Sequence, residues 1–71
     1  MSEAMTPLRL KLLMLVDKNP DLHRDRLLAL KGVQPADLAF LEQHDLIRER
    51  DAGCYRISHL GQLALKRGQA M

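Results

Sequence analysis

The sequence predicts a small, mainly α-helical domain with one β-hairpin near its C-terminal end. The 71 residues suffice for a single domain, and their apolar side chains are mostly Leu, with one Phe, one Tyr and no Trp. Such a composition favours helices over sheets. The stretch 38–65 changes from a helical to an extended and back to a helical pattern, which indicates a hairpin between two helices. We expect the domain to cover residues 6–68, with short tails at 1–5 and 69–71.

The overall composition bears on several functional classes. The net charge is +2, from 11 Lys and Arg against 9 Asp and Glu, which neither requires nor excludes nucleic acid. The single Cys54 cannot form an internal disulfide, and the three histidines fall in separate elements, so we expect no metal and no cofactor. No apolar run reaches about 20 residues and no signal-peptide pattern is present, which predicts a cytoplasmic protein without a membrane partner. Since no catalytic motif occurs, we do not expect an enzyme.

The first two helices are marked by their end residues. Thr6-Pro7 begins the first, because Thr is a good N-cap and Pro costs nothing at the first helical position. Apolar residues recur at helical spacing from Leu8 onward, and Asn19-Pro20 ends the helix. Asp21 is expected to cap a second helix over residues 22–30. Lys31-Gly32 closes that helix, since Gly readily takes the left-handed conformation of a C-cap.

The third helix opens at Gln34-Pro35. Leu38 and Leu41 define its inner face. Counted at 100° per residue, its outer face holds Ala36, Ala39, Phe40 and Gln43.

The hairpin and a short fourth helix follow. Asp51-Ala52-Gly53 is a turn between the extended runs IRER and CYRI, because Gly can take the positive φ of a tight hairpin. Strand alternation places three side chains toward the body: Ile47, Tyr55 and Ile57. It places three others toward solvent on one surface: Arg48, Arg50 and Arg56. Ser58 is expected to cap the fourth helix, and Gly68 to end it.

These elements together resemble the winged helix–turn–helix family, over about residues 7–68. The resemblance is carried by the helix with Leu38 and Leu41, the junction Asp45-Leu46-Ile47, the hairpin with its second strand at 55–58, and Gly61. It implies three helices, a two-stranded wing and a short C-terminal helix. The family usually has Gly at the position of Asp45, and Asp tolerates the left-handed conformation better than most residues.

The resemblance implies double-stranded DNA as the partner, with the third helix in the major groove and the wing against the backbone. Guanidinium groups bind phosphate oxygens bidentately, which suits the wing arginines Arg48, Arg50 and Arg56. Further phosphate contacts would come from Arg24, Arg26 and Lys31, and base contacts from Gln34 and Gln43. Lys66 and Arg67 either add phosphate contacts or simply favour a helix C-terminus. The competing interpretation of the wing arginines is a solvated face beside Glu49 and Asp51.

The third helix also supports a second hypothesis. Residues 34–45 carry three acids and no Lys or Arg, whereas a helix in a major groove usually presents basic or amide side chains. An outward apolar patch would instead suit a protein partner or a homodimer, and it would comprise Ala36, Ala39, Phe40 and Leu65. Phe40 has an alternative placement, packed against the first helix or the wing. A small DNA-binding transcriptional regulator and a protein–protein interaction module therefore both stand as predictions.

Overall fold

The computed structural model describes residues 5–69. The elements in chain order are α1 (Pro7–Lys18), β1 (Leu22–His23), α2 (Arg24–Leu28), α3 (Pro35–Gln43), β2 (Ile47–Asp51), β3 (Cys54–Ile57) and α4 (His59–Gln69). The expected tails lie mostly outside the described residues, except that Met5 precedes α1 and Gln69 is the last residue of α4. Helix α4 thus continues one residue past Gly68, where we expected it to end.

The sheet has three antiparallel strands in the order β1-β3-β2, so the expectation of a two-stranded wing is wrong. The additional strand, β1, pairs Leu22 with Tyr55 of β3. Asp21 is not a helix cap: its φ of +66° turns the chain, and its backbone N–H donates to the Tyr55 carbonyl at 3.1 Å. The segment 22–23 is therefore a short strand paired with β3, where we expected the start of a helix.

Helix α2 is shorter than expected because β1 takes its first two residues. His23 is the N-cap, and its Nδ1 accepts a hydrogen bond from the Asp25 backbone N–H at 3.0 Å. The chain after α2 turns between Leu30 and Val33, whose backbone groups bond at 3.2 Å. Gly32 sits in that turn at φ +86°, the left-handed conformation that was predicted. It does not close α2, however, because the helix already ends at Leu28 with Ala29 as its C-cap.

The starts predicted for the other three helices are confirmed. Thr6 Oγ1 accepts from the Arg9 backbone N–H at 3.1 Å, with Pro7 at the first helical position. Helix α3 begins after Gln34, whose backbone N–H donates to the Asp37 carboxylate at 2.9 Å. Ser58 Oγ accepts from the Gly61 backbone N–H at 3.0 Å at the start of α4.

The core lies between α1, α3, α4 and the inner face of the sheet. Each buried aliphatic side chain contributes about 1.5–3 kcal/mol of transfer free energy. The core residues are Leu12, Leu13, Val16, Leu27, Leu38, Phe40, Leu41, Ile47, Tyr55 and Leu65. Leu38 and Leu41 thus face inward as predicted. Among the described residues, no helix is long and apolar enough to cross a membrane.

Phe40 and Leu65 are buried, which corrects the expectation that they form an exposed patch. Phe40 is 5% exposed and Leu65 is 6% exposed. Phe40 lies only 100° around the helix from Leu41, so it falls at the edge of the inner face, where α1 covers it. The Arg9 guanidinium lies 4.3 Å from the centre of the Phe40 ring, and the His44 ring lies at the same distance.

A tight junction between α3 and β2 sets the position of the hairpin. Asp45 has φ +57°, the left-handed conformation in which its backbone N–H donates to the Glu42 carbonyl at 3.0 Å. The Leu46 carbonyl accepts from the Ser58 backbone N–H at 3.0 Å. Helix α4 approaches this carbonyl so closely at Gly61 that a Cβ there would collide with it. The close approach of α4 to the junction therefore requires Gly at position 61.

Candidate nucleic-acid interface

The outward side of the β2–β3 hairpin carries three arginines, which we call the arginine face: Arg48, Arg50 and Arg56. Its position follows from the strand register. Ile47 pairs with Ile57, and Arg48 pairs directly with Arg56. Ile47 and Tyr55 are fully buried and Ile57 is half-buried, so the predicted alternation of inward apolar and outward basic residues is confirmed.

Two aspartates hold the opposed pair of arginines. Arg48 donates to the Asp45 carboxylate from Nε and Nη2, at 2.8 and 2.9 Å. Arg56 donates in the same bidentate way to Asp21, at 3.0 and 3.1 Å. Asp21 and Asp45 are also the two residues other than Gly that have positive φ in the described chain. Both left-handed turns therefore place a carboxylate beside a hairpin arginine.

These contacts change the acidity of the carboxylates. The hydrogen bonds from Arg56 lower the pKa of Asp21, and those from Arg48 lower the pKa of Asp45. The positive charge of Arg50 adds to the lowering of the pKa of Asp21. Within residues 5–69, Arg50 itself forms no ion pair. It is therefore the arginine of this face most available to a ligand.

An open groove of about 410 Å³ runs along the arginine face. It is closed on one side by the start of α4, where Ser58, His59 and Leu60 line it. Asp45 and Glu49 also border it, so the groove carries both signs of charge. An anionic ligand placed in this groove would meet three guanidinium groups but would have to compete with carboxylates that already bind two of them.

The inner side of the hairpin has a separate polar cluster centred on Tyr55. Arg24 Nε donates to the Tyr55 hydroxyl at 3.0 Å, and Arg24 Nη2 lies 3.3 Å from Glu49 Oε1. Glu49 Oε2 in turn accepts from the Gly53 backbone N–H at 2.8 Å. Burial, and then the nearby Glu42 carboxylate, raise the pKa of Tyr55. Arg24, predicted as a phosphate contact, is thus already engaged in tying α2 to the hairpin.

The remaining predicted contacts are exposed and dispersed. Arg26 and Lys31 are exposed on and after α2, and neither forms an ion pair in the described part of the chain. Ala36, Ala39 and Gln43 are exposed on α3, and Gln34 is exposed just before it, as predicted. Lys66 and Arg67 are exposed on α4 and line other surface depressions than the arginine face.

The sequence did not predict that Asp21 and Asp45 would bind the arginine side chains of the hairpin. The sequence marks Asp45 only for its backbone conformation, and it suggests Asp21 as a helix cap. The pair between Arg9 and Asp37 was also missed, although its atoms Nε and Oδ1 lie 2.9 Å apart and join α1 to α3. Local patterns place Asp37 in the first turn of α3. They cannot predict its partner, because Arg9 lies 28 residues earlier in the chain.

Across residues 5–69, no group of three or more His, Cys, Asp or Glu side chains could hold a metal ion. Comparisons with protein-family models, with curated proteins and with solved structures found no match.

Proposed function

We propose that this protein is a DNA-binding transcriptional regulator of the winged helix–turn–helix kind. In this proposal the arginine face holds the phosphate backbone and α3 enters the major groove. The order of elements supports it: two helices precede a third helix with one exposed side, and a hairpin follows at once through a tight junction. The additional strand β1 pairs with Cys54 and Tyr55, next to the hairpin turn, and so ties that end of the hairpin to the body, which gives a backbone contact a rigid support.

The observation that carries the proposal is the direct pairing of Arg48 with Arg56. Like charges opposite each other on neighbouring strands destabilise a sheet. Both side chains point away from the core, so packing does not require arginine at either position. The pairing is instead accommodated by Asp21 and Asp45, each in a left-handed conformation that costs free energy for a residue other than Gly. Local costs of this kind are typical of functional sites.

Phosphate can replace the aspartates without a change of fold. Both ion pairs are exposed to water, and exposed ion pairs contribute little to stability. A phosphate offers the same two-oxygen geometry to a guanidinium as a carboxylate does. The duplex also brings a high density of negative charge, so the arginines gain attraction from several phosphates while the aspartates turn to solvent.

The test is a titration of random-sequence duplex DNA at two salt concentrations. We expect micromolar binding at low salt that weakens steeply as salt rises. The double variant Arg48→Ala/Arg56→Ala should bind more weakly, with the slope of log K against log salt reduced by about 2. The matched control, Lys11→Ala/Lys18→Ala, removes the same charge from the exposed side of α1 and should bind nearly as the parent protein does.

Two results would contradict the proposal. One is the absence of binding by the parent protein at low salt. The other is an equal loss in the arginine variant and in the lysine control, because a loss by net charge alone would assign no role to the arginine face. Thermal unfolding of both variants should be measured alongside, so that a loss of fold is not mistaken for a loss of contact.

A second candidate function is association with another protein or with a second copy. The patch predicted for it is reduced to Ala36 and Ala39, since Phe40 and Leu65 are buried. A different observation favours it: Leu60 is 49% exposed at the start of α4, in a groove that Met5 also lines. The solution mass of the parent protein and of Leu60→Gln tests this, and a monomer in both cases would argue against self-association.

A further inference from the structure

We infer that α3 selects A·T base pairs in the major groove. This inference rests on the proposed function, because it names the duplex sequence that the same surface would bind. It follows from the chemistry of the exposed side of α3, which offers methyl groups and amides and has no basic side chain.

The exposed ridge of α3 consists of Ala36, Ala39 and Gln43. They follow one another at three- and four-residue spacing, so all three lie within about 60° of one line along the helix. Each is exposed, while Leu38 and Leu41 on the opposite side are buried. Gln34 adds a second exposed amide at the N-terminal end of the helix. A ridge of small side chains lets the helix backbone come close to base edges.

The groups on this ridge match the major-groove edge of an A·T pair. An alanine methyl group packs against the C5-methyl group of thymine, and a glutamine amide forms two hydrogen bonds with N6 and N7 of adenine. G·C pairs present no methyl group. Guanine presents two acceptors, O6 and N7, which two donors from one Arg or Lys read best.

Two arginines that lie beside α3 side chains are engaged in other contacts. Arg9 is bound to the Asp37 carboxylate and lies over the Phe40 ring on the buried side of the helix. Arg24 is bound to the Tyr55 hydroxyl and to Glu49. Neither guanidinium is therefore placed to read guanine, and the exposed face of α3 is left with amide and methyl groups.

Glu42 is the acid on this side of the helix, and it does not alter the preference. A free carboxylate could accept from N4 of cytosine. Glu42 instead lines a surface depression together with Arg24 and Tyr55, and its negative charge raises the pKa of Tyr55. Glu42 therefore belongs to the inner polar cluster. Its negative charge repels phosphates, and we do not expect it to contact bases.

The experiment is selection of bound duplexes from a random pool, with the parent protein, Gln43→Ala and Gln43→Arg. The parent protein should enrich a run of A·T pairs. When the A·T base pair that Gln43 contacts is replaced by G·C, binding should weaken about 5- to 150-fold, which is the range for one bidentate base contact. Gln43→Ala should lose enrichment at that one position, and Gln43→Arg should gain guanine there. Gln43 is exposed, so neither substitution disturbs the core.

Replacing thymine by uracil in the selected duplex separates groove reading from duplex shape. It removes only the methyl group in the major groove and should weaken binding if Ala36 or Ala39 contacts it. An unchanged affinity would overturn the inference, because A·T-rich duplexes are also selected by a narrow minor groove. Selection of G·C pairs, or binding without preference, would overturn it while leaving DNA binding intact. Absence of binding to the whole pool would overturn the proposed function as well.

Discussion

Two regions of this molecule each contain an arginine–aspartate ion pair, which is largely buried in one region and exposed in the other. At the contact of α1 with α3, the Arg9 and Asp37 side chains are 13% and 14% exposed. On the arginine face, the Arg48 and Asp45 side chains are 69% and 47% exposed. The distances between nitrogen and oxygen are almost equal, at 2.9 and 2.8 Å. The geometry of an ion pair therefore says little about its role until burial is considered.

Burial decides whether the arginine is needed for the fold or free to serve a ligand. Arg9 lies over the Phe40 ring, and Asp37 also accepts from the Gln34 backbone N–H. Removing either partner would leave a charge that water reaches poorly. Arg48 and its aspartate are solvated, so exchanging the carboxylate for another anion costs little. The comparison predicts large losses of stability in the first region and changes of binding in the second.

The largest effect on stability is expected at Phe40. Phe40→Ala should lower the free energy of unfolding by about 3–5 kcal/mol, because it leaves a cavity between α1 and α3. In a domain this small such a loss approaches the whole stability. Urea unfolding followed by circular dichroism measures it, with Leu60→Ala as the control at an exposed apolar residue. A loss no larger than that of the control would show that Phe40 is not part of the core.

Arg9→Ala should have the next largest effect. We expect a loss of about 2–3 kcal/mol, because the change removes a hydrogen bond between charged groups and a cation–π contact. Arg48→Ala is the matched control, since it removes the same side chain from a solvated pair and should leave urea unfolding almost unchanged. Equal losses in the two variants would contradict the distinction by burial.

The pH dependence of stability should follow Asp37. The Gln34 backbone N–H, and then Arg9, lower its pKa below the ordinary value of 3.8. A carboxylate with a lowered folded pKa contributes stability that is present above the unfolded pKa and lost as the pH falls through the folded one. The parent protein should therefore exceed Asp37→Asn in unfolding free energy at about pH 5–7. This advantage should shrink below about pH 4, and an advantage independent of pH would show that the charge of Asp37 is not its source.

Local patterns in the sequence predicted the parts of this fold that depend on neighbours along the chain. Thr6-Pro7, Ser58 and Gly53 act as predicted, because caps and turns involve groups within four residues of each other. The inward positions of Leu38 and Leu41 also follow from periodicity alone. Three helices and the hairpin could therefore be located from the sequence.

The errors concern residues whose role depends on distant partners. Phe40 lies at the edge of the inner face of α3, and only the position of α1 decides that it is covered. Asp21 suits either an N-cap or a left-handed turn, and its pairing with Arg56 across 35 residues decides between them. Strand β1 has two residues, too few for a periodic pattern. The arginine face was predicted, but the carboxylates that hold it were not.

The smallest effect on stability is expected when the carboxylates that bind the arginine face are removed. This change also tests the comparison most directly. Asp21→Asn/Asp45→Asn removes both carboxylates, and Asn tolerates the left-handed backbone at least as well as Asp, so unfolding should change little. If the aspartates compete with phosphate, this variant should bind duplex DNA several-fold more tightly at low salt. Asp17→Asn/Asp25→Asn is the control, because it raises the net charge equally at exposed acids that form no ion pair with the arginine face.

A stronger gain in the first variant than in the control would locate the competition at the arginine face, since the long-range effect of net charge is the same in both. An equal gain would mean that the duplex senses only total charge. A loss of binding would mean that Asp21 and Asp45 hold the arginines in the orientation that phosphate requires, and that they act as supports of the contact. The Arg56–Asp21 pair would then resemble Arg9–Asp37 in function despite its exposure, and burial would not suffice to separate the two regions.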